Sequence, residues 1–277
     1  MQAQPAMNGP INACTATEVM SSPAVPIRIE HLTVRYDSGL VAVDDFSLTV
    51  EAGQFVSIVG PSGCGKTSVL NTLTGLLPVQ GDEVRIFDRR PCAGNPEVAY
   101  MMARDCLFPW RTVLGNAVYG MELRGTPRRD ARPKATDLLR AVGLGDFLDA
   151  HPKTLSHGMR QRCALARTFC LDSPVLLMDE PFGALDAQTK LQLEDVLLEL
   201  VARERRTVIF ITHDLAEAVT LSDRVVVMSR RPGRIVADVP IELPRPRSAR
   251  ALQANPKYHA IYAQIWQSLD AGEIGNA

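Results

Sequence analysis

Phe55-Val56-Ser57-Ile58-Val59-Gly60-Pro61-Ser62-Gly63-Cys64-Gly65-Lys66-Thr67-Ser68 is the stretch from which the rest of the chain is read. Its first five residues are nearly all apolar and end at a glycine, which predicts a strand buried on both faces. Residues 60–67 fit G-x-x-x-x-G-K-[ST], a loop whose glycines let successive backbone N–H groups turn inward on phosphate oxygens. A helix is predicted over 67–76, with Val69, Leu70 and Leu73 as its apolar face, and its N-terminus adds positive potential at the same place. Lys66 would neutralise β- and γ-phosphate charge, and the Thr67 hydroxyl would ligate Mg2+. Gly60, Pro61, Ser62, Gly63, Cys64, Gly65, Lys66, Thr67 and Ser68 are therefore the expected phosphate-binding residues. The plain alternative is a glycine-rich turn without a ligand; the strand and helix flanks favour a nucleotide.

Similar apolar runs lie at 175–178, 208–211 and 225–228, with helical spacing between them. Leu193, Val196, Leu197, Leu200 and Val201 recur on one helical face behind Asp186, a suitable N-cap. Buried strands alternating with helices indicate an α/β fold with a parallel sheet, whose ligands bind at the C-terminal strand ends. Asp179 and Glu180 end one such strand. Asp179 suits Mg2+, held through water, and Glu180 suits orienting or deprotonating an attacking water. His213 ends another and can donate a hydrogen bond to a terminal phosphate or to that water. Solvated side chains are the ordinary reading of each; the upstream phosphate loop tips both toward function.

Residues 27–29, 32–36 and 46–50 alternate apolar and polar, as half-exposed antiparallel strands do. The middle, about 103–172, has no buried-strand run and reads as a helical insertion, with helices near 137–142 and 159–171. Residues 1–26 read as a disordered extension, rich in Pro, Ala, Ser and Asn. Residues 241–277 read as a basic, Pro-rich, solvated extension carrying Arg245, Arg247 and Arg250, with a short helix near 258–269.

Composition narrows the function classes. The 277 residues carry 30 Lys+Arg against 31 Asp+Glu, so the net charge of −1 gives no support for nucleic-acid binding. Aromatics are 5%, too few for base-stacking platforms. The charge-free stretches 1–17 and 67–81 are broken by Pro, Gly or polar residues, so neither a membrane span nor a signal peptide is expected. Six irregularly spaced cysteines without C-x-x-C read as reduced thiols of a cytosolic protein.

Leu155-Ser156-His157-Gly158-Met159-Arg160-Gln161-Arg162, then Ala164-Leu165-Ala166-Arg167, the acidic strand and Phe182-Gly183-Ala184-Leu185-Asp186 follow in an order that resembles the ATP-binding subunit of an ABC transporter. The resemblance spans about residues 27–240. It implies a P-loop NTPase core of the RecA-like kind, with an antiparallel β subdomain and the inserted helical subdomain. It implies a homodimer in which each ATP lies between the phosphate loop of one copy and the signature residues Ser156, His157, Gly158 and Met159 of the other. Asp186 would belong to the D-loop, and Tyr36 would stack on adenine. Integral membrane permease subunits would dock near Phe108 and Trp110, at the cytoplasmic face of the membrane. Phe108-Pro109-Trp110-Arg111-Thr112-Val113, Gly158-Met159-Arg160-Gln161-Arg162 and Arg231-Pro232-Gly233-Arg234-Ile235 resemble the nitrate, sulfonate and taurine importer group, which implies a solute-binding protein as an indirect partner.

Two positions depart from the family pattern. Ala103 stands where the family has a glutamine, which leaves Arg104 or Asp105 as candidate substitutes. His157 replaces the first signature glycine, and its Cβ predicts a negative φ. Both departures keep open a second reading, a slow-turnover nucleotide-binding partner in regulation or assembly. Cys64, inside the phosphate loop, reads first as a small tolerated side chain; the alternative, from Lys66 and the helix N-terminus beside it, is a low-pKa thiol whose alkylation would block ATP binding and from which ATP would protect.

Overall fold

The computed structural model describes residues 26–79, 83–183 and 185–274. Of the extension read at 1–26, all but Pro26 lies outside the described residues. Alternation of apolar and polar side chains gives β1 (Ile27–Arg35) and β2 (Val41–Val50), which pair antiparallel with Ile27 opposite Val50. The all-apolar run becomes β3 (Phe55–Val59) and leads into α1 (Lys66–Leu73). β4 (Val84–Ile86) pairs with the other edge of β1, completing a three-stranded antiparallel sheet. β5 (Val98–Met101) precedes three helices, α2 (Val113–Leu123), α3 (Arg128–Ala141) and α4 (His157–Phe169). β6 (Val175–Asp179), α5 (Ala187–Glu204), β7 (Thr207–Ile211), α6 (Leu215–Leu221) and β8 (Arg224–Met228) continue the alternation. β9 (Ile235–Pro240), α7 (Ala249–Leu252) and α8 (Pro256–Ile274) end it.

The main sheet has six strands in the order β5-β6-β7-β3-β8-β9, parallel except for β9 against β8. Every residue of β3, β6 and β7 is buried because both sheet faces are covered. On one face Phe210 stands between Phe55 and Phe182, with ring centroids 5.7 Å apart on each side, under α2, α4 and α5. On the other, Val56, Ile58, Leu177 and Ile209 pack with α1 and the antiparallel sheet. The strand order places β6, β7 and β3 side by side, so their C-terminal ends meet.

Three local expectations are corrected. α1 ends at Leu73 rather than at residue 76, because the chain turns left-handed at Gly75 and the Leu76 and Leu77 N–H groups both return to the Asn71 carbonyl. α3 begins nine residues before the periodic stretch at 137–142, at Arg128, and accommodates Pro133 in its interior. The segment beyond residue 240 is not a solvated tail. Ile241, Leu243, Leu252, Tyr258, Ile261 and Ile265 bury against β8, β9 and α6, and the terminal helix is 19 residues long rather than short. Arg247 lies beneath this layer, donating to the carbonyls of Ser222 (2.5 Å), Leu243 (2.9 Å) and Ile241 (3.0 Å). Arg245 pairs with Asp223 at 2.7 Å. Among the described residues no helix is long and apolar enough to cross a membrane.

Candidate functional site

The loop after β3 wraps around its own lysine. Gly65 takes φ +105, and a Cβ there would sit 2.6 Å from Val43 and 2.7 Å from the Ala42 carbonyl, so only glycine fits. Lys66, 7% exposed, donates from Nζ to the carbonyls of Gly60 (2.7 Å) and Pro61 (3.0 Å). The Thr67 hydroxyl donates to Asp179 Oδ2 at 2.9 Å, joining α1 to the end of β6. Burial pushes the Asp179 carboxyl above the usual range, against the lowering effects of Thr67 and Lys66. Glu180 turns left-handed at φ +46, fixed by its N–H donating to the Ile211 carbonyl at 2.9 Å. Its Oε2 lies 3.4 Å from His213 Nδ1, beyond the end of β7.

Gly65, Lys66, Thr67 and Glu180 face a cavity of about 250 Å³, which Gly60, Pro61, Cys64, Asp179 and His213 do not line. Its wall includes Tyr36, Ser62, Gly63, Gly65, Lys66, Thr67, Ser68 and Glu180, which the sequence singles out. It also includes Leu40, Ala42 and Arg231, which sequence reasoning missed as site residues because only the folded topology brings them there. The Tyr36 hydroxyl is 2.8 Å from Ser68 Oγ, so the aromatic residue and the phosphate loop form one surface. Hydroxyl and carboxylate oxygens at Thr67 and Asp179 are the hard donors that Mg2+ takes when phosphates complete its shell, and the donor set fits that ion.

Ser156, His157, Gly158 and Met159 do not line this cavity. Ser156 caps α4, its Oγ accepting from the Met159 N–H at 3.2 Å, and His157 opens the helix with helical rather than left-handed backbone. Asp186 caps α5 by accepting from the Thr189 N–H at 2.9 Å, and these hydrogen bonds hold its carboxyl below the usual range. Ala103 offers its carbonyl to Gln161 Nε2 at 3.1 Å, while the Asp105 carboxylate accepts from Arg160 Nε at 2.9 Å. Asp105 is thus engaged by α4, while Arg104 is exposed. The low-pKa alternative for Cys64 is corrected: the residue is 1% exposed, and burial pushes its thiol up more than Lys66 lowers it. Trp110 is 72% exposed and leans on Phe108, which in turn packs edge-on to Tyr119 at 4.6 Å.

Behind His213 lies a polar cluster that the sequence does not reveal. Lys190 Nζ bridges Asp214 Oδ2 (2.9 Å) and Glu217 Oε1 (2.6 Å), and Thr212 donates to Glu217. Helical spacing exposes α5's apolar stripe in the sequence, but not the carboxylates brought to it by α6.

Residues 43–183 match the family model described as ABC transporter. An uncharacterized ABC transporter ATP-binding protein of Methanocaldococcus jannaschii is 42% identical over 83% of this chain and 87% of its own length. The taurine import ATP-binding protein of Rhizobium johnstonii is 35% identical over 89% of this chain and 97% of its own length. Among solved structures, the dimeric bacterial ABC transporter cassette MJ0796 superposes with a TM-score of 0.69 at 27% identity, over 78% of this chain and 99% of that one. The same cassette in a post-hydrolysis state bound to ADP and Pi gives 0.70 at 26% identity, with the same coverage.

Proposed function

The chain belongs to the ABC transporter family, as an ATP-binding, ATP-hydrolysing subunit, and from that premise we propose that it energises uptake of a small solute through a separate membrane permease. One observation carries the assignment of residues: the ends of β3, β6 and β7 bring Lys66, the Thr67–Asp179 pair and the Glu180–His213 pair into one place. Tyr36 takes the adenine face, and residues Gly60 to Ser68 take the phosphates. Thr67 and Asp179 hold Mg2+, which supplies charge neutralisation at the β- and γ-phosphates. Glu180 orients the attacking water and accepts its proton, and His213, against Glu180, holds the terminal phosphate.

Two copies close head to tail, as the family resemblance implies, and the dimeric MJ0796 cassette supports a pair of copies. Ser156, His157, Gly158 and Met159 of one copy then meet the terminal phosphate held by the other, with the Asp186 turn beside it. In this reading the exposed Trp110 and its Phe108 support form the permease-facing surface, and the protein works at the cytoplasmic face of the membrane. The taurine import relative supports taurine as one candidate solute; the motif resemblance extends the class to sulfonate and nitrate and implies a solute-binding protein as an indirect partner.

Glu180→Gln tests the reading. The variant should bind ATP as the native chain does, lose turnover by roughly 100-fold or more, and form an ATP-dependent dimer in size-exclusion chromatography. Undiminished hydrolysis would require another base. A second reading, a slow-turnover partner, has one observation on its side: Ala103 has no ligating side chain and Asp105 is held by Arg160. Native steady-state hydrolysis near zero, with intact ATP-driven dimerisation, would favour it.

A further inference from the structure

We propose that Arg231 is a nucleotide contact whose guanidinium pairs with a phosphate of the bound nucleotide; this rests on the ATP-binding reading above. Arg231 lies in the turn between β8 and β9, remote in sequence from the phosphate loop. That turn is built against the phosphate loop. Gly233 approaches so closely that a Cβ would stand 2.0 Å from the Cys64 carbonyl. Its N–H donates to the Ala42 carbonyl at 2.9 Å, and its carbonyl accepts from the Asp44 N–H at 3.1 Å. Ser229 Oγ closes the turn from inside, accepting from the Arg234 N–H at 3.1 Å, while Arg234 pairs with Asp44.

The anchored turn presents Arg231 to the cavity wall. Its side chain is exposed and has no hydrogen bond or ion pair to any of the described residues, unlike its fixed neighbour Arg234. Five N–H donors are therefore free at the mouth of a site whose other lining cation among the described residues, Lys66, is turned onto its own loop. A planar guanidinium matches two phosphate oxygens at once. Arg231 shares the cavity wall with Tyr36 and Lys66, so a nucleotide that fills the cavity brings a phosphate within reach of its guanidinium.

Isothermal titration of ATP and ADP into the full chain and into Arg231→Ala, Arg231→Gln and Arg231→Lys tests this. Alanine and glutamine should weaken ATP by about tenfold, and lysine should recover part of the loss. The loss should shrink as salt is raised, because the contact is partly exposed. Thermal unfolding without nucleotide should be the same for all four proteins, since the side chain holds nothing in the fold. Affinities of Arg231→Ala within about twofold of native for both nucleotides would overturn the contact. A native chain that binds neither nucleotide would instead overturn the ATP-binding reading on which the contact rests.

Discussion

Cys64 sits between two opposed effects. The Lys66 ammonium, 3.9 Å from its sulfur, favours the thiolate, whereas enclosure at 1% exposure favours the neutral thiol. Enclosure prevails, so the thiol is raised rather than activated. N-ethylmaleimide at neutral pH should therefore modify the exposed Cys106 well before Cys64, in the presence or absence of ATP, as followed by peptide mass spectrometry. Early stoichiometric labelling of Cys64 would contradict this balance. The charge of Lys66 was legible from the motif; the packing of Met228 and Gly233 around the cysteine was not, because both arrive from more than 160 residues downstream. At Glu180 the motif indicated chemistry, and the structure adds a left-handed backbone that costs about 1 kcal/mol and is held by the Ile211 carbonyl.

At the scale of elements, α5 and α6 are joined by charge as well as by apolar contact. Lys190 stands one turn beyond the Asp186 cap and bridges Asp214 and Glu217, so the helix that Asp186 caps grips the turn that carries His213. One turn further, Glu194 is 3% exposed and its carboxyl is pushed up to about 8, first by burial and then by Glu217. An unfolded glutamate titrates near 4.5. Between that value and about 8 the folded chain holds the extra proton, so stability falls as pH rises through this window. Glu194→Gln should flatten that fall, raising the melting temperature by a few degrees at pH 8 and little at pH 5, as read by a fluorescence melt across pH. A native melting curve independent of pH from 5 to 8 would overturn this role. The helical stripe of α5 was readable from its leucines and valines. α2 was not, because its apolar residues lie on all sides and leave no single face to count.

For the whole molecule, the class of sheet was legible because strands covered on both faces need unbroken apolar runs. The fate of residues 241–274 was not: arginines and prolines look solvated in a sequence, and only folding supplies carbonyls for a guanidinium to satisfy. Arg247 binds carbonyls from the end of α6 and from the segment after β9, tying α8's layer to the sheet. Arg247→Ala leaves those buried acceptors unmatched and should cost about 2–4 kcal/mol in a urea unfolding titration. Arg247→Lys should not restore it, because one ammonium cannot span them. A change below about 0.5 kcal/mol would show the layer to be held by its apolar contacts alone.

β3, which carries the phosphate loop, has β7 and β8 as its sheet neighbours, and neither is contiguous with it in the chain. About 150 residues separate β3 from β7, so at ordinary rates of translation the ribosome needs roughly ten seconds or more after making the loop before it makes the strand beside it. A nascent chain thus displays the nucleotide-binding motif long before it has the sheet that shapes it. The site thus takes its shape only once the turn after β8 has been made and closes against Cys64.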